Sequence, residues 1–203
     1  MIYFTADLHF NHNGIIGYCG RIDPSTGRPF ASAAKMNEVM IERWNAAVHN
    51  ENDEVWVLGD FGFSPRKGVF LGEGEELDVI FHRLRGRKSL VVGNHDEKNP
   101  KGLKLPWERQ EKLFTFKGPG GRAELCHYPL ESWKGSSGGA LMFHGHSHGA
   151  LKRQAYHRFD VGVDVYGCPQ PWDYLLEIAR KQPFKPFEEV VESGQQGEGG
   201  HDE

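Results

Sequence analysis

Ala140-Leu141-Met142-Phe143-His144-Gly145-His146-Ser147-His148 is the most informative stretch of this 203-residue chain. Apolar residues give way to three imidazoles at alternate positions, with Gly145 between the first two. Successive side chains of a strand point to opposite faces, so an extended segment here directs His146 and His148 to one side. Gly145 lets the backbone turn tightly there. A lone histidine is usually structural, an imidazole satisfied by one hydrogen-bond partner. A His-x-His at a strand end, with glycines on both sides, has instead the donor chemistry and spacing of a metal site. Two histidines do not hold an ion alone, so other segments must supply partners.

The same pattern recurs along the chain. A first strand over residues 2–6 ends in Asp7-Leu8-His9, and alternation again puts Asp7 and His9 on one side. Phe10 to Arg28 is rich in Asn, Gly and Pro and is expected to be a loop, with His12 and Arg21 as candidate substrate contacts. Ser32 to Val48 has helical spacing through Met36, Val39, Met40, Arg43, Trp44, Ala47 and Val48. Val55-Trp56-Val57-Leu58 is a continuous apolar run, as in a strand buried on both faces, and it ends in Gly59-Asp60-Phe61-Gly62. Residues 64–76 form a Gly-rich, charged insert, followed by a helix from Leu77 to Leu84. The cluster Arg83, Arg85, Arg87 and Lys88 is either a solvated face or a phosphate contact.

Ser89-Leu90-Val91-Val92 is the next buried strand, and Gly93-Asn94-His95-Asp96 follows it. Asn, His and Asp after a glycine offer a carbonyl ligand, an acid-base group and a carboxylate. Short strands over Leu113–Lys117 and Ala123–Cys126 come next, the second ending in His127. Phe159 to Asp164 is expected to be a strand and Trp172 to Lys181 the last helix. From Ser193 the Gly, Gln and acid content argues for disorder, so the expected layout is one domain over 1–187 and an acidic tail over 188–203.

Composition bounds the function. No run approaches the ~20 apolar residues of a membrane span, and the first residues lack a signal-peptide pattern, so the expectation is a soluble cytoplasmic protein. Cys19, Cys126 and Cys168 are widely spaced, which suggests free thiols rather than disulfides or a thiolate zinc site. The net charge of −4 hides an uneven distribution: six of the 28 acids follow position 187 with no Lys or Arg, leaving 24 basic against 22 acidic residues before it. That body tolerates anionic substrates.

Asp7, His9, Asp60, Asn94, His127, His146 and His148 thus gather at strand ends. Oxygen and imidazole donors without thiolate suit Mn²⁺, Fe²⁺ or Zn²⁺. The set is too large for one ion and suits two, with one carboxylate shared. Two divalent cations against two carboxylates keep a positive surplus that attracts a phosphate. Hydrolysis of a phosphate ester follows from that chemistry.

Asp7-Leu8-His9, Gly59-Asp60, Gly93-Asn94-His95-Asp96, His127 and Gly145-His146-Ser147-His148 resemble, in order, the five motifs of the calcineurin-like metallophosphoesterase superfamily. Asp7 to His12 and Glu42-Arg43-Trp44-Asn45 also resemble a small bacterial and phage subgroup of it. The resemblance implies a single-domain, four-layer α/β/β/α sandwich. It implies Asp7, His9 and His148 on one metal, Asn94, His127 and His146 on the other, and Asp60 bridging. The implied cofactors are two divalent ions, Mn²⁺ first, with Fe, Zn, Ni or Mg as substitutes. It further implies His95 as general acid, oriented by Asp7 or Asp96, with Asn94 also touching substrate. The Asp and Arg that follow the glycine-aspartate pair in protein phosphatases of the superfamily are missing from Gly59 to Ser64, which argues against a phosphoprotein substrate. A phosphodiesterase is expected over a monoesterase. The alternatives are nucleic-acid end processing, with a nucleic acid or nucleotide as partner, and a non-catalytic binding module on the same fold.

Overall fold

The computed structural model describes residues 1–65, 74–151 and 157–182. In chain order the elements are β1 (Ile2–Thr5), α1 (Asn13–Tyr18), β2 (Ile22–Asp23), β3 (Arg28–Pro29), α2 (Ala33–Ala47), β4 (Glu54–Val57), α3 (Leu77–Arg83) and β5 (Arg87–Val91). They continue with α4 (Pro100–Leu103), β6 (Gln110–Glu111), β7 (Leu113–Gly118), β8 (Gly121–Cys126), β9 (Leu141–His144), β10 (Arg158–Asp160), α5 (Val163–Tyr166), β11 (Gln170–Pro171) and α6 (Trp172–Lys181). A first sheet has the order β11-β1-β4-β5-β6, parallel except for β11. A second sheet has the order β10-β9-β8-β7, parallel except for the β7-β8 hairpin. The architecture is a single α/β sandwich.

Alternation along the central strands builds two cores. Tyr3, Val55, Val57 and Leu90 point from the first sheet toward Met36, Met40 and Trp44 of α2 and Ile80 of α3. Their neighbours Phe4, Trp56 and Val91 point the other way, toward Leu125, Leu141 and Phe143 of the second sheet. This is why the β4 run is apolar without interruption. Trp172 of α6 joins the inter-sheet core, where its ring meets Phe4, Phe116 and Phe143 edge-on or tilted. Ser32 caps α2 by accepting from the Lys35 amide at 3.2 Å, an interaction worth about 1 kcal/mol.

Several expectations need correction. Phe10–Arg28 is not all loop: Asn13–Tyr18 is helical, held to the start of α2 by the Ala33 amide on Asn13 Oδ1 at 2.7 Å. The strand expected over Phe159–Asp164 stops at Asp160, because the chain turns at Gly162 into α5. That turn is fixed by Gly162 N–H on Asp160 Oδ1 and Val163 N–H on the Ala6 carbonyl. Within the basic cluster Arg85 donates to the Asn45 carbonyl. Arg83 pairs with Glu38 and Glu75, Arg87 pairs with Glu108, and buried Lys88 donates to the Leu84 and Gly86 carbonyls. The boundary at 187, the tail over 188–203 and part of the 64–76 insert lie outside the described residues. Among the described residues no helix is long and apolar enough to cross a membrane.

Candidate metal centre

Parallel strands of both sheets deliver the candidate ligands from their carboxyl ends, as open α/β sheets do with ligand sites. Asp7 and His9 follow β1, Asp60 follows β4, and Asn94 follows β5. His127 follows β8, and His146 and His148 follow β9. Strand alternation does not aim them. Asp7, His9, Asp60, His146 and His148 all have positive φ, between 48° and 66°, so they face one place through left-handed turns beyond the strands. Outside glycine that conformation costs on the order of 1–3 kcal/mol per residue, and it persists only where surroundings enforce it.

The enforcing contacts are visible. The two loops after β1 and β4 run side by side, with Asp7 N–H on the Gly59 carbonyl at 3.0 Å and His9 N–H on the Asp60 carbonyl at 2.9 Å. The His146 amide donates to the Asp7 carboxylate at 2.9 Å, tying the two sheets together. Gly145 admits this approach, since a Cβ there would lie 2.6 Å from Asp7 Oδ2. Gly93 similarly leaves room for Asp60 Oδ1, which accepts from the His95 amide at 2.9 Å.

Asp60 Oδ2 lies 3.5 Å from His9 Nε2 and 3.6 Å from His127 Nε2. Asn94 Oδ1 lies 3.0 Å from His127 Nε2 and 3.1 Å from His146 Nδ1. His127 Nδ1 meets the Leu58 carbonyl at 2.9 Å, so that nitrogen carries the proton and Nε2 presents its lone pair. Among the described residues three groups have donor atoms close enough to share an ion: Asp7, His9 and His148; Asp7, Asp60 and His127; and Cys19, His148 and Asp164. Asp7 belongs to the first two, whereas the expected bridge Asp60 belongs only to the second. The orphaned atoms argue that a cation fits: His9 is 1% exposed, and neither ring nitrogen has a hydrogen-bond partner.

Electrostatics point the same way. Burial above all, with Asp60 adding to it, lifts the Asp7 carboxyl well above the usual range. Burial, then the Arg21 and His148 charges, hold His9 well below the usual imidazole value. His127 is lowered by burial as well. Neutral imidazoles and crowded carboxylates are the state a cation relieves.

The remaining expected residues divide. His95 lies at the rim, its Nε2 3.9 Å from Asp60 Oδ2 and its ring 5.1 Å from that of His9. His12 joins it, with its ring 5.4 Å from His9 and 4.9 Å from Phe63. Asp96 is turned toward the backbone. It is 3% exposed, and its carboxylate accepts from the Gly93, Asp60 and Phe61 amides at 2.8, 2.8 and 3.0 Å. Arg21 is likewise 8% exposed, and all its nitrogens donate inward, to Asp164 and to the Asp7 and Leu8 carbonyls. His144 is buried, with Nδ1 on the Gly145 carbonyl at 2.8 Å. Asp164 went unread by sequence although it obeys the rule that found the others, an acid just past a strand end and a glycine.

No family model matches the sequence. The chain is 33% identical over 147 residues to the "Uncharacterized protein MJ1445" of Methanocaldococcus jannaschii, covering 72% of this chain and 69% of that one. The Gene 66 protein of Mycobacterium phage L5 is 26% identical over 87% of this chain and 92% of its own. Among solved structures, the protein of unknown function AQ665 from Aquifex aeolicus superposes with a TM-score of 0.64 at 23% identity, over 88% of this chain and 98% of that one, and shares the fold. The chain therefore belongs to the family of the Methanocaldococcus jannaschii protein MJ1445.

Proposed function

We propose that this chain is a two-metal phosphoesterase that hydrolyses phosphate esters, phosphodiesters in preference to monoesters. The observation that carries the reading is the buried donor set in which His9 leaves both ring nitrogens unpartnered beside two carboxylates, Asp7 and Asp60. Asp7, His9 and His148 would hold one ion and Asn94, His127 and His146 the other, with Asp60 available to both. Mn²⁺ suits these donors best. When bound, such ions supply Lewis acidity toward phosphoryl oxygens and make a water nucleophilic near neutral pH.

The chain's own residues do the rest. His95 donates the proton that the departing alkoxide needs, supported by its rim position and by the anchoring of its amide to Asp60 Oδ1. Asn94 turns Oδ1 to the two histidines and keeps its amide NH₂ for a phosphoryl oxygen. His12 flanks His95 as a neutral ring, lowered to about 4 by burial and then by the His95 and Arg21 charges, so it contacts substrate without competing as the acid. The diester preference is supported by Arg21, whose inward contacts leave it nothing to offer a terminal phosphate dianion.

The test is hydrolysis of bis-p-nitrophenyl phosphate beside p-nitrophenyl phosphate, after chelation and after adding Mn²⁺. The expected result is activity restored by Mn²⁺ and greater on the diester. Folded protein inactive on both esters with Mn²⁺, Fe²⁺, Zn²⁺, Ni²⁺ and Mg²⁺ would overturn the reading. His95→Asn should lose most activity on esters of poorly leaving alkyl alcohols and keep much of it on p-nitrophenyl esters. Equal losses on both would remove His95 from its role.

A further inference from the structure

The Arg21 guanidinium and the Asp164 carboxylate, 7% and 8% exposed, form a bidentate pair at 2.8 Å on both arms. Each partner also reaches the candidate metal centre. Asp164 Oδ2 lies 2.7 Å from His148 Nδ1. Arg21 Nη2 donates to the Asp7 carbonyl at 2.6 Å and Nη1 to the Leu8 carbonyl at 2.9 Å. One buried ion pair therefore connects the Asp7-Leu8-His9 loop after β1 with His148 after β9, two segments more than 100 residues apart whose backbones are both in the left-handed region.

We propose that Arg21 and Asp164 are positioning residues for the ligand group Asp7, His9 and His148. A carboxylate has no proton to give, so Nδ1 of His148 carries the hydrogen in this contact, which leaves Nε2 as the nitrogen that a metal would take. Asp164 thereby selects the ligating nitrogen of His148 and fixes the ring plane. Arg21 fixes Asp164, because the planar fork matches both carboxylate oxygens. Its remaining donors hold the strained Asp7-Leu8 backbone in the turn that brings Asp7 and His9 to the same place. In the second group, Asn94, His127 and His146, the His127 ring has its own support in the Leu58 carbonyl and, among the described residues, makes no contact with Asp164 or Arg21. This inference rests on the two-metal reading and assigns the pair to one ion of the two.

Mn²⁺ binding, measured by equilibrium dialysis on the full chain, tests it with Asp164→Asn, His148→Ala and the double variant. Asp164→Asn keeps the shape and an acceptor for Arg21 but removes the charge. The expected result is two Mn²⁺ on the wild-type chain, and in Asp164→Asn one of them weakened about 10- to 100-fold with the other unchanged. His148→Ala should weaken the same equivalent, and the double variant should be no worse than His148→Ala alone. Wild-type Mn²⁺ affinities in folded Asp164→Asn, or losses that add in the double variant, would overturn the proposal. A wild-type chain that takes up fewer than two Mn²⁺ would overturn the two-metal reading, and the inference with it. Proton NMR of the metal-free wild-type chain adds a readout that needs no Asp164 variant. A downfield imidazole N–H resonance that disappears in His148→Ala is expected, and its absence from the wild-type spectrum would count against the Nδ1 contact.

Discussion

Gly59 adopts a φ of +93°, and a Cβ there would lie 2.3 Å from His127 Nδ1 and 2.9 Å from the Gly93 Cα. The residue is therefore glycine for two reasons at once, a backbone that other residues adopt at a cost and a histidine ring laid directly on the main chain. Gly59→Ala is expected to destabilise by on the order of 2–3 kcal/mol and to push His127 off the Leu58 carbonyl that orients it. Urea midpoints would measure the first effect and Mn²⁺ uptake the second. Wild-type values for both would mean that the ring has another place to sit. Gly20, with a φ of +62° but open space around it, is the matched control. Gly20→Ala should lose stability without losing metal.

At the scale of elements, the loop after β4 and the loop after β5 are held together by Asp96, whose carboxylate accepts three buried amides. Asp96→Ala strands those donors, at a cost of about 3–5 kcal/mol, and should lower the melting temperature strongly even in metal-free protein. A loss of activity with unchanged stability would instead return Asp96 to the catalytic role that the sequence suggested. Alternation and strand-end motifs were enough to find β1, β4, β5, β9, α2 and α6 and to nominate the residues that gather at the rim. They were not enough to aim them, because a left-handed turn at His146 or Asp60 leaves no mark in residue type. Nor does sequence reveal which cation is spent inside: Arg21 reads as a substrate contact and Lys88 as part of a solvated face or phosphate contact, and both are buried. Lys88 is the second residue of β5, donates to the Leu84 and Gly86 carbonyls just past α3, and is lowered to about 8 by burial. The folded chain gives up this proton before the unfolded chain does. Between pH 8 and 10.5 the unfolded state therefore binds more protons, and stability contributed at this site rises with pH across that window, by up to about 3 kcal/mol. Urea midpoints of the wild type measured against Lys88→Met from pH 7 to 10 should show the rise. Parallel curves would mean that Lys88 titrates in the fold as it does in water.

For the molecule as a whole, the candidate centre sits where the inter-sheet core ends, and it draws on both sheets. Asp7, His9, Asp60 and Asn94 extend the first sheet, and His127, His146 and His148 extend the second. Below the rim the sheets are joined by apolar packing around Phe4, Trp56, Phe143 and Trp172. At the rim two buried carboxylates and an unpartnered imidazole face one another, an arrangement that opposes closure until positive charge is supplied. Divalent ions should therefore act as a cross-link between the sheets as well as a source of chemistry. Binding at one hundred times Kd contributes about 2.7 kcal/mol per site, which for a domain of this size corresponds to about 5–10 °C in Tm. We expect Mn²⁺ to raise Tm by that amount or more over chelated protein in one cooperative transition, and His9→Ala to lose much of the rise. Trp172→Ala separates the two joints. It should destabilise by about 3–5 kcal/mol through a core cavity and so lower Tm, yet keep the Mn²⁺-dependent increment, because the rim is intact. If Mn²⁺ leaves the wild-type Tm unchanged while His9→Ala raises it, the donor set is a buried polar strain that no cation relieves, and the sheets are held by the apolar core alone.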